Sequence, residues 1–572
     1  MYLRATPRQN KDGSVVRYLQ LAHNIWDPTA KRSKVQVVYN FGREDQANRA
    51  ALERLVASVS RFLDPEQALA ATAGEGLAFV ESRPLGGVWA LDGLWRQLGI
   101  DTTMRRLLRT RRLDDAAERV LFALVANRAL DPSSKLAASR WVGEDVWIHG
   151  LEQTCEDACY RAMDWLLEIH VALEREVFHR VANLLNLEVD LLFFDTTSTY
   201  FELDEPDAPV ARDPRGRRLA GDGEQGDGDA ADRAGFRSYG KSKDHRDDLP
   251  QVVIGMAVTR TGIPVRVWCW PGKTNDSALI RQVKDDLRDW TLARILWVAD
   301  RGFASAENRR WLRRGDHHYI LGERLRSGSA EATAALSRQG RYAEVAGNLR
   351  VKEVRISDAE RFVICHNPEQ AERDAAIRQR LLAQLDEMIA GTDKLSQTKR
   401  AELRGVLSTK PGLARYLRVT PGGLLRINAK AIKAEQGLDG KYLLRCSDPH
   451  LSAEDIALGY KQLLQVERGW RDLKQVIDLR PVYHRKEERI RAHVLLCWLA
   501  LLLVRVIEST CHAPWPALRR ELERIKVGTF AGPAGSFHQR TEITASQRAI
   551  LAKLQLADPP RIYQLTPATP AS

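Results

Sequence analysis

The sequence predicts an α/β protein: a mixed sheet with flanking helices, interrupted by a mixed α+β insert and preceded by a predominantly helical region. Three observations point there. From Glu44 to about Asn186, apolar residues recur three and four apart, as in ALERLVASVSRFL and DDAAERVLFALVANRAL, which is the period of an amphipathic helix. At Leu187 the texture changes to LEVDLLFFDTTSTYFEL, a nearly continuous apolar and β-branched run of the kind that forms a strand buried on both faces. Beyond it, apolar runs of strand and helix length follow in the order strand, strand, strand, helix, strand, helix, strand.

Size and charge narrow the class. At 572 residues the chain has room for three or four domains of about 150 residues each. Lys and Arg (87) exceed Asp and Glu (75), a net charge of +12, while 44% of residues are hydrophobic. That content excludes a disordered basic tail, and the excess charge favours a polyanionic partner. Of seven cysteines, Cys155 and Cys159 sit at i, i+4 and the rest are scattered, which fits neither a disulfide framework nor a zinc finger. The N-terminal MYLRATPRQNKDG lacks the apolar core of about seven residues that a signal peptide needs, so a cytoplasmic protein is expected. The most apolar run, Val494 to Val504, falls short of the roughly 20 residues of a membrane span and reads as a buried helix, with no membrane partner.

Along the chain, residues 1–43 read as an N-terminal β-hairpin, two alternating runs between 14 and 41 meeting at Asp27-Pro28. Residues 44–186 form the helical region, a candidate DNA-binding region. Within it LVANRALDPSSKLAASRWV is helix, Asp-Pro break, Ser cap, helix, the outline of a helix-turn-helix that would place Lys135 and Arg140 near phosphates. An ordinary helical hairpin has the same outline. Residues 187–324 hold the strand-rich stretch. After its first strand, QVVIGMAVTRTG and IPVRVWCWPG turn at Thr261-Gly262, SALIRQVKDDLRDWTLA is a helix, and RILWVAD is a strand. A Ser305-capped helix then stops at Gly315, and HHYILGERL ends the stretch. Residues 203–235, rich in Gly, Pro and Asp, read as a disordered loop. Residues 325–450 read as a separate insertion domain, with strands near 341–366 and a charged helical pair over about 370–417. Its last part reads as a hairpin of LLRINAKAIKAEQ and KYLLRCS through Asp439-Gly440. Residues 451–509 carry a helix from Ala453 to Val476 and another from about Lys486 to Ser509, and 510–572 form a C-terminal tail.

Polar residues inside the apolar strands carry the candidate chemistry. Asp195 ends LLFF and Asp300 ends ILWVA, and burying an ionised carboxylate is costly without compensation. Either Asp alone reads equally as a cap or turn residue. The two converge on one site if the first and fourth strands lie side by side. A third acid, Glu467 in GYKQLLQVERGWRDLK, shares a helix stripe with Tyr460, Leu463 and Lys474 at spacings of 3, 4 and 7; alone, that stripe is an amphipathic helix with a tolerated Glu. Lys241, Lys243, His245 and Arg246 precede the second strand and either meet a nucleic-acid backbone or form a solvated face. His484 and His493 read as packing residues.

Around these residues the sequence resembles the DDE transposases of bacterial insertion sequences, specifically the insertion-sequence-four superfamily. The resemblance is carried by FFDTTSTYFE, YGKSKDHRDDLPQVVIGMAV, PVRVWCWPGKTND, VADRGFASAEN, YKQLLQVERGWRDLK and DLRPVYHRKEERIRAHVLLCWLALLL, and spans about Leu187 to Ser509. It implies a ribonuclease H-like catalytic core with an insert between the second Asp and the Glu, and catalysis by Asp195, Asp300 and Glu467, three carboxylates that suffice to hold two Mg2+ ions about 4 Å apart for in-line displacement at phosphorus, with Mn2+ as a substitute. The family's Tyr, Arg, Glu, Lys signature falls on Tyr460, Leu463, Glu467 and Lys474, so that phosphate contacts of the Arg pass to Lys461, Arg468 or Arg471. A base-holding aromatic from the insert would be Tyr342, Phe362, Tyr416 or Tyr442, and a hairpin pathway is not supported. The implied partners are double-stranded DNA, both element ends and target, and a second copy of the chain in a homodimeric DNA complex. The implied function is a transposase that binds terminal inverted repeats, cleaves the ends and joins 3'-hydroxyls to target DNA. A ribonuclease H-like nuclease without strand transfer and a non-catalytic DNA-binding relic are the alternatives.

Overall fold

Leu191–Tyr200 (β1) runs through the middle of the largest sheet. Its Leu191, Leu192, Phe193 and Phe194 are all buried, because a strand covered on both faces has no solvent side. Each phenylalanine contributes roughly 2–3 kcal/mol through burial. The computed structural model describes residues 2–28, 30–63, 77–109, 116–185, 191–213, 215–219, 233–290, 295–326, 328–357, 360–532 and 535–567. They divide into a smaller unit (Met1–Ser82, Val527–Arg540 and Pro560–Ser572) and a larger one (Arg83–Lys526 and Thr541–Pro559).

In the larger unit, Gln251–Thr259 (β2) and Pro264–Pro271 (β3) follow β1 as an antiparallel meander. Gly262 makes the turn between them at φ +81°, a left-handed conformation that glycine adopts without a Cβ clash. Leu296–Ala299 (β4) then lies parallel beside β1, and His318–Glu323 (β5) parallel beside β4. Ala343–Ala346 (β6), Leu349–Ser357 (β7), Glu360–His366 (β8) and Lys441–Cys446 (β9) complete a nine-stranded mixed sheet of order β6-β7-β8-β9-β5-β4-β1-β2-β3. The expected α/β architecture is present, and the first and fourth strands are neighbours.

Helices fill both faces. Ala116–Leu130 (α1), Lys135–Glu144 (α2) and Glu156–Leu184 (α3) precede the sheet, and Asp276–Asp286 (α4) connects β3 to β4. Phe178 of α3 and Ile280 and Val283 of α4 pack with Leu192, Phe194, Trp268, Trp270 and Trp297 on one face. Ala453–Lys461 (α5) and Leu464–Gln475 (α6) cross the other face. There a Cβ on Gly459 would stand 3.4 Å from Leu191 Cδ2, and one on Gly469 only 2.6 Å from Met256 Cε. Glu487–Cys511 (α7) is the one helix among the described residues long and apolar enough to cross a membrane, but 94% of its apolar window is buried inside the protein. It is a core helix.

Several expectations need correction. The strands of 325–450 are not a separate layer. β9 pairs antiparallel with β5, Ile320 opposite Cys446 and Leu321 opposite Arg445, so the insert prolongs the sheet and satisfies an edge that would otherwise present unpaired backbone groups. Its helices Pro368–Ile389 and Gln397–Ser408 close their own small core around Leu385, Leu407, Leu413 and Tyr416. No hairpin forms at Asp439-Gly440. Leu425–Ile427 pairs with Leu417–Val419, and AKAIKAEQ is a helix, Ala429–Gln436, capped by Asn428, as its Ala, Lys and Gln content favours. The flanks of the supposed disordered loop are anchored: Arg237 pairs with Asp207, Arg212 with Glu487 of α7, and Val210–Ala211 with Arg233–Ala234. Residues 214 and 220–232 of that loop lie outside the described residues.

In the smaller unit the hairpin of Val15–Asp27 and Arg32–Arg43 gains a third strand, Tyr2–Gln9. The C-terminal region, read as a tail, supplies Lys526–Gly532, Gly535–Arg540 and Ile562–Pro567 to a four-stranded sheet with Ala78–Pro84.

Candidate active site

Strand register sets the site. Phe194 of β1 lies opposite Ala299 of β4 in a parallel pair, so the next residues, Asp195 and Asp300, come level at the carboxyl end of β4. Side chains alternate along a strand, which turns Asp195 away from the Phe194 core and toward the face crossed by α5 and α6. Asp300 leaves its strand, and its Oδ1 accepts the Gly302 N–H at 3.2 Å. It is therefore a turn cap and a member of the pair at once. Glu467 arrives on α6, which Gly469 lets settle onto Met256, the residue opposite Asp195 on β2. All three acids line one cavity of about 540 Å³, together with Tyr442, Tyr460, Lys461 and Leu463.

Burial pushes the Asp195 carboxyl up to about 6, with Asp300 and Glu467 adding in the same direction and Lys243 opposing them. A carboxylate raised partly by like charges marks a site short of positive charge. Three hard oxygen donors suit Mg2+ or another hard divalent cation. As they stand, no three acidic, His or Cys side chains among the described residues are close enough together to hold an ion, so ligation by all three acids would require them to draw together.

Three neighbours play parts here that the sequence reading misses. Lys243 Nζ lies 3.9 Å from Asp195 Oδ1, 3.5 Å from Asp276 Oδ2 and 3.2 Å from Thr196 Oγ1, and Thr196 Oγ1 donates to Asp276 Oδ2 at 3.0 Å. The sequence marks Lys243 only as a nucleic-acid backbone contact or part of a solvated face, and Asp276 hides in the first turn of α4, where an acid is ordinary. Asp244, the third, accepts from Lys474 Nζ at 2.9 Å and from Arg480 at 3.2 Å.

The other candidates divide. Lys241 and Lys243 line a second cavity of about 940 Å³ with Lys273, Asp276, Asp300, Arg301 and Arg324. Arg246 is turned to Asp248, with two hydrogen bonds of 2.9 Å. Arg471 is exposed on α6. Lys474 is not a solvated helix end, because its ammonium is tucked against Asp244. Lys135 is no DNA contact: Ser134 caps α2 as expected, but α1 is a core helix and Lys135 is only 4% exposed. The Glu467 stripe is interrupted, since α5 ends at Lys461 and α6 starts at Leu464. The buried side of α6 is Val466, Gly469, Trp470 and Leu473, leaving Glu467 exposed at the cavity. Among the insert aromatics, Tyr442 reaches the cavity and stacks on Tyr460 with centroids 6.1 Å apart, whereas Phe362 and Tyr416 are buried elsewhere and Tyr342 packs against the insert's sheet core. His484 and His493 are both buried.

Residues 219–503 match the transposase DDE domain, and residues 3–70 match the N-terminal domain of IS1634 family transposases. Asp300 and Glu467 fall inside the first match and Asp195 before it. No curated protein matches the chain. Among solved structures, a cryo-EM structure of the piggyBac transposase synaptic complex with hairpin DNA aligns over 72% of this chain and 71% of its own, at 11% identity and a TM-score of 0.34.

Proposed function

We propose that this chain, a transposase by its matches to the DDE domain and to the IS1634-family N-terminal domain, binds the terminal inverted repeats of an insertion sequence, cleaves DNA there, and joins the freed 3'-hydroxyls to target DNA. The observation that carries this reading is the register of β1 and β4: it sets Asp195 and Asp300 level, on a cavity that Glu467 also lines. We assign the core to the ribonuclease H-like class, supported by three antiparallel strands followed by two parallel ones in the order β3-β2-β1-β4-β5. Placement in the insertion-sequence-four superfamily rests on the motifs quoted above, and a homodimer in the DNA complex and a cytoplasmic setting belong to the same proposal.

Asp195, Asp300 and Glu467 would hold two Mg2+ ions, with Mn2+ able to replace them. Bound there, the metals supply an activated nucleophile and stabilise the leaving oxygen. The chain's own residues do the rest. Lys241, Lys273, Arg301 and Arg324 surround the adjoining cavity and attract the phosphate backbone. Gly302 fixes one oxygen of Asp300 through its N–H. The short reach from Gly469 to Met256 sets the height of α6, and so of Glu467, over the sheet.

Asp195→Asn, Asp300→Asn and Glu467→Gln should each abolish Mg2+-dependent cleavage of element-end DNA while end binding persists. Wild type given pre-cleaved ends should join them to a second duplex. Cleavage by Asp300→Asn near the wild-type rate overturns the site, and hydrolysis without joining makes the protein a nuclease.

A further inference from the structure

We infer that Lys243 is the resident counter-cation of the carboxylate site: held between Asp195 and Asp276, it competes with divalent metal for Asp195, and turns to a backbone phosphate once metal and DNA are bound. This rests on the reading of Asp195, Asp300 and Glu467 as a metal site. The backbone of the segment bearing Lys243 is fixed. Its backbone N–H donates to Ser198 Oγ at 2.8 Å, and the next residue, Asp244, is gripped by Lys474 of α6 and by Arg480. The same helix that carries Glu467 thus holds the Lys243 backbone in place. Its side chain, 41% exposed, reaches between Asp195 and Asp276 along the wall of the basic cavity. A flexible four-carbon stem ending in a compact point charge can move between two anionic partners. Without metal those partners are carboxylates; with metal in place the ammonium is repelled from them and the phosphates of the strand in the adjoining cavity become its acceptors.

Opposite effects on two ligands separate this role from its rivals. Neutral Lys243→Met in the full chain should bind Mn2+ roughly tenfold more tightly than wild type, because a competing charge is gone. The same variant should bind element-end DNA roughly tenfold more weakly. Mn2+ affinity is read by electron paramagnetic resonance without DNA, and DNA affinity by fluorescence anisotropy. Lys243→Arg should stay close to wild type in both. Lys243→Gln serves as the second neutral variant if Lys243→Met does not fold, and urea midpoints verify folding. Mn2+ affinity that is unchanged or weaker in a folded neutral variant overturns the inference, even if DNA binding falls. If wild type binds no Mn2+ that Asp195→Asn abolishes, the metal-site reading falls and the inference with it; if wild type binds and the neutral variant binds no more tightly, the inference alone fails.

Discussion

Replacing Asp195 with Asn should stabilise the metal-free protein at pH 7.5 while abolishing its cleavage activity. Burial, with the charges of Asp300 and Glu467, pushes the Asp195 carboxyl from 3.8 up to about 6. The folded protein then holds this proton more tightly than the unfolded chain does, so stability falls as pH rises from about 4 to above 6. A displacement of that size corresponds to about 3 kcal/mol in full. Because 21% of the side chain is exposed, solvent screens part of it, and a gain of about 1–2 kcal/mol is expected for Asp195→Asn at pH 7.5. At pH 5, where folded Asp195 is mostly protonated, about half of that gain should remain. The assay is urea unfolding in EDTA at the two pH values. Added Mg2+ should then stabilise wild type more than the variant, because a ligand stabilises the state that binds it. A variant less stable than wild type at pH 7.5, or a gain of equal size at both pH values, would refute the reasoning.

Lys135→Met tests the burial of α2: burial lowers the Lys135 ammonium to about 7, so its charged form opposes folding increasingly as pH falls below about 10.5. The variant should raise the urea midpoint at pH 7 and leave the salt dependence of DNA binding unchanged; a flatter salt slope would restore a DNA contact. Lys474→Ala leaves Asp244 with one cation and should cost about 1–3 kcal/mol without altering that slope, and wild-type stability would contradict the Asp244 pair. Arg212 bonds Glu487 at 3.1 and 2.8 Å and is nearly buried, so Arg212→Ala should cost about 2–4 kcal/mol. Replacing all of 203–235 by a short Gly/Ser turn should destabilise at least as much, and an unchanged urea midpoint would show that the loop flanks do not anchor α7.

Asp195 and Asp300 are legible as candidates because an acid ending an apolar strand breaks a strong local pattern, and the pairing of the two strands, a condition in the sequence reading, is present in the structure. Glu467 was legible as a residue but not as a position. Nothing like Gly or Pro marks the break between Lys461 and Leu464, so an unbroken stripe was the natural reading. Lys135 shows the limit of local signals. A Ser cap followed by Lys looks like a surface helix start, and only the packing of distant elements covers it. Lys243 and Asp244 are adjacent in sequence yet serve the Asp195 side and the α6 side of the site, a division set by contacts from Asp195, Asp276, Lys474 and Arg480. The pairing of β9 with β5 joins segments more than a hundred residues apart, and the charged helical pair between them obscured it. Arg212 and Glu487 lie still farther apart, and a Gly- and Asp-rich stretch gave no sign that its first turn was tied to a core helix.

The most direct test of the central claim, that Asp195, Asp300 and Glu467 serve one metal centre, is iron-directed cleavage of the protein itself. Fe2+ occupies oxygen-ligand sites suited to Mg2+ and Mn2+, and with ascorbate and peroxide it cuts the backbone beside the ion. Wild-type protein should be cut near residues 195, 300 and 467 together, with all three cuts suppressed by excess Mn2+ and lost in Asp195→Asn. Cuts near one of these positions without the others, or cuts at all three that persist in Asp195→Asn, would contradict a shared site.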